Sequence, residues 1–91
     1  MNRSEVFFIL KQYFKIYHTT VNGRSYRKLY TPNQNTVGMM VNDKVYISEI
    51  DHIYICNEEL VICGKINVEI NIHYRDIESL KIYEESDEEE G

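Results

Sequence analysis

The first periodic pattern along the chain is helical and covers the residues from Ser4 to Tyr17. Apolar residues recur there at spacings of three and four, which is typical of an amphipathic helix with one buried side. Asn2 and Glu5 have the spacing of a capping box, so the pattern predicts a helix that begins beside Asn2. The apolar positions are Val6, Phe7, Ile9, Leu10, Tyr13, Phe14, Ile16 and Tyr17.

Phe8 is the exception on this helix, because it falls in the middle of the polar side. At about 100° per residue its neighbours are Glu5, Lys11, Gln12 and Lys15, and a monomer with one core leaves the ring in water. A single exposed aromatic residue is common on protein surfaces and needs no special explanation. The alternative interpretation is that Phe8, with Lys11 and Lys15 beside it, contacts a partner protein or a second copy of the chain.

The rest of the chain follows a period of two and predicts short strands separated by turns. The pair Asn22-Gly23 favours positive φ and predicts a hairpin turn. In the longest segment every second residue from Ile66 to Tyr74 is apolar, which predicts a half-buried strand. The predicted strands are 19–21, 25–30, 37–41, 44–47, 60–63, 65–74 and 79–83, with a loop at 31–35, a turn at 42–43, and a bulge or bend at 49–51 before the alternation resumes at 53–55.

These elements predict an α+β fold in which the N-terminal amphipathic helix packs on a bent antiparallel sheet of four to six strands. The sheet either stays open or curls into a small barrel. We expect one domain over residues 1–83 and a disordered acidic tail over residues 84–91, a segment too charged to pack. The acidic residues of the tail are Glu84, Glu85, Asp87, Glu88, Glu89 and Glu90.

A helix before short bent strands, ending in the segment 72–82, resembles Sm-like barrels. The segment 53–82 also resembles bacterial pleckstrin-homology-like domains in its residue pattern. The Sm-type glycine and aspartate-asparagine signature between the middle strands is absent from this sequence. No site residue is therefore transferred from either family.

Composition and charge narrow the function classes. The chain has 91 residues, of which 43% are hydrophobic and 27% are charged, as expected for one folded domain. No apolar run approaches the ~18 residues of a membrane span, so we expect a cytoplasmic protein without a membrane partner. The net charge of −5 comes mostly from the tail, because the remaining residues are nearly neutral. Ala and Trp are absent while Ile, Tyr, Asn, Lys and Glu are abundant, a bias typical of AT-rich genomes such as those of many phages, viruses and low-GC bacteria.

The residues able to perform chemistry form no recognisable motif. His18, His52, His73, Cys56 and Cys63 lack the spacings of a metal site. No glycine elbow frames a serine nucleophile, and Ser48, Asp51 and His52 are read as a chance cluster. The cysteines are expected to be reduced core thiols, unless the strand register places them opposite each other. The sequence thus predicts a non-enzymatic protein with no cofactor and no metal.

Two functions of different classes remain open. The preferred hypothesis is a small protein-interaction module, a phage- or virus-encoded binder or inhibitor of another protein that self-associates through Phe8 or an exposed sheet edge. Its acidic tail would imitate nucleic-acid phosphates on a basic partner.

The alternative is a small-barrel nucleic-acid-binding protein. In it, arginine and lysine side chains contact phosphates, and tyrosine rings stack on unpaired nucleotide bases. The acidic tail of the same molecule competes with the nucleic acid for this surface. The residues of this basic and aromatic stretch are Arg24, Tyr26, Arg27, Lys28 and Tyr30.

Overall fold

The computed structural model describes residues 1–30 and 36–85, apart from the side chains at positions 19, 21, 24–27, 30, 36 and 85. One short helix is followed by eight strands, with a 3-10 turn before the last of them. Their bounds are α1 Arg3–Leu10, β1 Lys15–Val21, β2 Arg24–Tyr30, β3 Thr36–Val41, β4 Val45–Ile47, β5 Ile50–Ile55, β6 Glu59–Gly64, β7 Glu69–His73, the 3-10 turn Tyr74–Asp76 and β8 Leu80–Glu85.

The strands form two antiparallel sheets. The five-stranded sheet has the order β1-β2-β5-β6-β7, and the three-stranded sheet has the order β4-β3-β8. The α+β class is confirmed, but a single sheet of four to six strands is wrong, and so is the small barrel. Neither sheet closes within the described residues, because β1, β7, β4 and β8 are all edge strands. Two sheets form instead of one because β3 pairs with β8, which is distant in the sequence, and local periodicity does not encode such a pairing.

One apolar core is shared by the two sheets and the helix. It forms because alternate residues of each strand point to the same side, where the helix also presents its apolar stripe. No polar or charged side chain of the described residues is buried. The core residues are Val6, Leu10, Phe14, Leu29, Val37, Met39, Val41, Ile47, Ile50, Ile53, Ile55, Leu60, Ile62, Tyr74, Ile77 and Leu80.

The predicted helix start and the first hairpin turn are confirmed. Asn2 Oδ1 accepts a hydrogen bond from Glu5 N at 2.8 Å, and Glu5 Oε1 accepts one from Asn2 N at 2.9 Å, so the capping box is complete. Asn22 and Gly23 have φ values of 53° and 78° and join β1 to β2. Both signals are local, since each acts within a few residues.

The predictions for the middle of the chain are also confirmed. Strand β3 is followed by a turn in which Asn42 and Asp43 both have positive φ, and β4 returns antiparallel to it. The predicted irregularity at 49–51 is a register shift between Ile50 and His52 against β6. A bulge of this kind bends the strand and turns two neighbouring side chains to one side.

The predicted helix extension to Tyr17 is wrong. Helix α1 ends at Leu10, where Phe14 N donates to Leu10 O at 3.1 Å, and β1 begins at Lys15. Apolar residues at helical spacing continue past this point, but they are aromatic and β-branched. Such residues suit a strand once a partner strand is present, and here β2 pairs with all of β1.

The predicted long strand 65–74 is wrong in its first half. Gly64 N donates to Val68 O at 2.8 Å and closes the hairpin between β6 and β7, so Ile66 stands in the turn and is 74% exposed. Only Glu69–His73 forms β7, and Tyr74 begins the 3-10 turn. The alternation of Ile66 and Val68 with polar neighbours therefore does not mark a buried strand face.

Strand β8 includes the first two residues of the segment predicted as the acidic tail. Glu84 and Glu85 belong to β8, where they pair with Val37 and Thr36 of β3. The pairing of β8 with β3 extends to Thr36, the first residue of β3, and therefore includes both glutamates despite their charge. The predicted loop 31–35 and the tail residues Asp87, Glu88, Glu89 and Glu90 lie outside the described residues.

Candidate functional site

The outward side of α1 carries an exposed aromatic ring beside a cation. Phe8 is 60% exposed, whereas Val6 and Leu10 on the inward side are fully buried. Lys11 lies three residues further on, where a helix places it beside Phe8, and its Nζ is 5.1 Å from the centre of the ring. A cation at this distance is attracted to the face of the ring.

A cleft of about 270 Å³ opens next to this ring. Its apolar walls come from two aromatic rings of α1 and from Ile55 at the end of β5, and two cations, Arg3 and Lys11, line it as well. Among the described residues, none that lines it is acidic. The cleft can therefore accept an apolar side chain with carboxylates next to it. We call it the α1 cleft, and its lining residues are Arg3, Ser4, Phe7, Phe8, Lys11 and Ile55.

Of the three predicted protein-binding residues, the structure brings together only Phe8 and Lys11. Lys15 lies in β1 and pairs with Tyr30 of β2, because the helix that was to present it ends earlier. Arg3 was missed, although it precedes Phe7 by four residues and so shares a line on the helix surface with it. Ile55 could not have been found, because only the fold brings β5 to the helix.

A second surface is the outer face of the five-stranded sheet. The register of β2 places positions 24, 26, 28 and 30 on this face, opposite the core residue Leu29. Lys28 pairs with Tyr54 of β5, and its Nζ is 5.2 Å from the ring centre of Tyr54. Of the predicted residues, only Arg27 has the other parity, since it pairs with the buried Ile55. We call this surface the basic sheet face.

The basic sheet face includes two aromatic residues that the sequence analysis did not assign to a binding surface, Tyr17 and Tyr54. Tyr17 pairs with Lys28 across β1 and β2, so tyrosines lie on both sides of this lysine. Next to Tyr54, the His52 ring meets the tyrosine ring edge-on at 5.1 Å. Period-two alternation in strands β1 and β5 was the available signal, but the wrong helix prediction hid it for Tyr17.

An imidazole, a carboxylate and a thiol also lie close together on this face. His52 Nδ1 is 2.6 Å from Asp51 Oδ2, because the bulge turns these neighbours to one side. Cys63 is the cross-strand partner of His52. Burial, followed by the negative charge of Glu69, raises the pKa of the Cys63 thiol. A thiol with a raised pKa is poorly ionised at neutral pH, so the arrangement does not favour nucleophilic catalysis.

The two cysteines are not opposite each other in the sheet. Cys56 N donates to Glu59 O at the start of the β5–β6 hairpin, whereas Cys63 pairs with His52 and Glu69. Both are free and half-buried. The register condition for a cross-strand disulfide is therefore not met. No group of three potential metal ligands occurs among the described residues.

A third exposed surface lies on the small sheet. The rings of Tyr46 and Tyr83 are 6.2 Å apart across the central strand, β3, with Gly38 between them. A Cβ on Gly38 would come within 2.5 Å of the Tyr46 hydroxyl, so this glycine permits the close approach of the ring. The pair covers the backbone of β3 and needs no ligand to explain it.

Comparison of the chain with models of protein families, with curated proteins and with solved structures found no match. No helix in the described part of the chain has the length and apolar character that crossing a membrane requires.

Proposed function

We propose that this protein is a non-enzymatic interaction module that binds an acidic segment of another protein in the α1 cleft. The observation that carries the proposal is Phe8, 60% exposed, with the Lys11 ammonium over its ring and a cleft beside it that combines aromatic rings with two cations. A large ring left in water on a well-capped helix has no role in the core, whereas contact with a partner gives it one.

The chemistry of the cleft defines the partner segment. Burying an exposed aromatic or aliphatic side chain contributes about 1.5–3 kcal/mol, which suits a leucine or phenylalanine inserted beside Phe8. Arg3 and Lys11 then face carboxylates next to that residue. Arginine can bind a carboxylate through two parallel hydrogen bonds, so it adds orientation as well as charge.

The test is binding of synthetic peptides that carry one phenylalanine or leucine between glutamates, followed by NMR of the ¹⁵N-labelled protein. We expect the backbone amides of residues 3–11 and 55 to shift. Phe8→Asp should weaken binding at least about tenfold, because it removes apolar contact and repels the glutamates. Val45→Asp is the matched control, since Val45 is an exposed apolar residue on β4.

Phe8→Asp is expected to fold normally, because Phe8 is outside the core. Equal peptide binding by Phe8→Asp and the unsubstituted protein would contradict the proposal. Equal weakening by Val45→Asp would show a nonspecific charge effect and would also contradict it.

One observation favours a second candidate function, binding of single-stranded nucleic acid on the basic sheet face. Positions 24, 26, 28 and 30 share that face, and the described side chains of Tyr17 and Tyr54 are paired across Lys28. Tyrosine rings next to cations provide stacking and phosphate contacts together. The negative net charge of the chain opposes this function, and the acidic tail beyond β8 would act as a competitor.

The second candidate is tested with a fluorescent oligothymidine and a salt titration. Lys28→Glu should weaken binding several-fold and reduce its salt dependence, since each phosphate contact contributes to the slope. Lys65→Glu, an equal charge change in the β6–β7 turn, should have little effect. A chain that ends at Glu85 keeps β8 whole and should bind more tightly. Binding that is absent, or equal in both lysine variants, would exclude this function for the basic sheet face.

A further inference from the structure

We infer that the free edge of β7 pairs with β7 of a second copy of the chain, antiparallel and centred on Asn71. This interface is separate from the α1 cleft and does not depend on the proposed function. The starting observation is that β7 is the last strand of the five-stranded sheet, so one of its sides has no neighbouring strand among the described residues.

The hydrogen-bond pattern shows which backbone groups face that free side. At one end of the β6–β7 ladder Gly64 N donates to Val68 O, and at the other Tyr74 N donates to Glu58 O. Hydrogen-bonded pairs alternate in an antiparallel ladder, so the even-numbered residues of β7 bond to β6. The N–H and C=O groups of Glu69, Asn71 and His73 are therefore directed to the open edge.

The sequence of β7 is self-complementary in this register. Glu-Ile-Asn-Ile-His reads as a near palindrome around Asn71. A two-fold axis at Asn71 places Glu69 opposite His73 of the second copy and the two Asn71 amides opposite each other. Ile70 then faces Ile72 of the second copy on the core side. Opposite partners of these types stabilise a strand pair, and the register uses the backbone groups that are open.

Burial along the strand shows what a second copy would cover. Ile70 and Ile72 point to the core side but are only half-buried, whereas their cross-strand partners Ile62 and Leu60 in β6 are fully buried. The difference arises because β7 is an edge strand, with no further strand of the described residues beside it. A second β7 would extend the sheet beyond this edge and place its own two isoleucines beside Ile70 and Ile72. The apolar stripe that is half-buried in one chain would then be more fully buried.

The other edges are less suited to self-pairing. Strand β4 has three residues, and β8 carries Lys81, Glu84 and Glu85, charges that protect an edge. Antiparallel self-pairing of β1 about its centre would place His18 against His18 of the second copy. By contrast β7 has a single charged residue, Glu69, which the proposed register places opposite His73 of the second copy, and it has no lysine, no proline and no positive φ. It is the edge best matched to its own copy.

The first test is the molar mass by light scattering over a concentration series. We expect the unsubstituted protein to rise from the 10.9 kDa chain mass to twice that value. Asn71→Pro removes one outward N–H and leaves the bonds to β6 in place, so it should stay at the chain mass with an unchanged circular dichroism spectrum. Asn71→Asp is a second variant that places two carboxylates against each other and should also stay at the chain mass.

The second test determines the register of the two strands. Variants with one added cysteine in β7 are oxidised, and the formation of covalent dimers is measured. In the proposed pair the two Cα atoms at position 71 are about 5.5 Å apart, within the range of a disulfide. The two Cα atoms at position 73 are four residues out of register, about 13 Å apart along the strands. Asn71→Cys should therefore form covalent dimers, whereas His73→Cys and the unsubstituted protein should not.

These results separate the inference from its rivals. A chain that stays at the single-chain mass at every concentration overturns it. So does a dimer that both Asn71→Pro and Asn71→Asp leave unchanged, because its interface is then elsewhere. Cross-linking that is equal for Asn71→Cys and His73→Cys, or absent for both, overturns the proposed register.

Discussion

At the scale of single residues, Asn42 connects two segments that are distant in the sequence. It has a φ of 56° in the β3–β4 turn. Its Nδ2 donates to Asp76 O at 2.8 Å, and its Oδ1 accepts from Glu78 N at 2.6 Å and from Ser79 N at 3.0 Å. Sequence reasoning found the turn but not these bonds, because asparagine serves in many turns that have no distant partner.

Substitutions of Asn42 should separate its backbone contribution from its side-chain contribution. Asn42→Gly keeps the positive φ but loses the three side-chain bonds, and we expect a loss of about 2 kcal/mol in the free energy of unfolding. Asn42→Ala should lose about 1 kcal/mol more, since alanine resists the left-handed conformation. Urea unfolding measures both. Asn67→Gly is the control, because Asn67 has a φ of 45° in an exposed turn; an equal effect at both positions would contradict the role of the side-chain bonds.

At the scale of secondary structure elements, local signals predicted where elements begin and turn but not how far they extend. The capping box and the two turns with positive φ are determined by a few adjacent residues, and all three are confirmed. The segment after Leu10 satisfies helical spacing and strand propensity equally, so the outcome depends on β2, a tertiary partner. The same ambiguity made the turn at Ile66 look like a strand, since alternation describes a pattern and not its burial.

At the scale of the whole molecule, strands consecutive in sequence mostly form the hairpins that their turns predicted. The exceptions are the pairings of β2 with β5 and of β3 with β8, which together create two sheets. Strands that are joined by such long connections pair because the core as a whole stabilises the pairing, and no short sequence pattern indicates which strands will pair. The α1 cleft shows the consequence, because Phe8 and Lys11 were predictable from helix geometry while Ile55 reaches them only through the fold.

The stability of the whole molecule should depend on alkaline pH through Tyr74. This side chain is 5% exposed, and its hydroxyl donates to Cys56 O at 2.6 Å, linking the turn before β8 to the end of β5. Burial raises the pKa of Tyr74 to about 12, although the nearby Arg3 acts in the opposite direction. The folded state thus holds the phenol proton more tightly than the unfolded chain, whose tyrosine pKa is about 10.

The sign of the effect follows from this difference. The contribution of the Tyr74 proton is fully present below pH ~10, and it falls as the pH rises towards 12, where the loss is on the order of 2 kcal/mol. Tyr74→Phe cannot ionise, so it should be less stable than the unsubstituted protein by about 1 kcal/mol near pH 8, from the lost hydrogen bond. That advantage of the unsubstituted protein should shrink and then reverse as the pH approaches 12.

Urea unfolding of the two proteins across this pH range measures the difference directly. Tyr83→Phe is the matched control, since it removes an exposed phenol from β8. This variant gives the effect of removing an exposed phenol from the same chain, and the Tyr74→Phe curve is compared with it. Parallel stability curves for Tyr74→Phe and the unsubstituted protein would mean that Tyr74 ionises without unfolding the chain. The contact with Cys56 would then not hold the phenol in its protonated form.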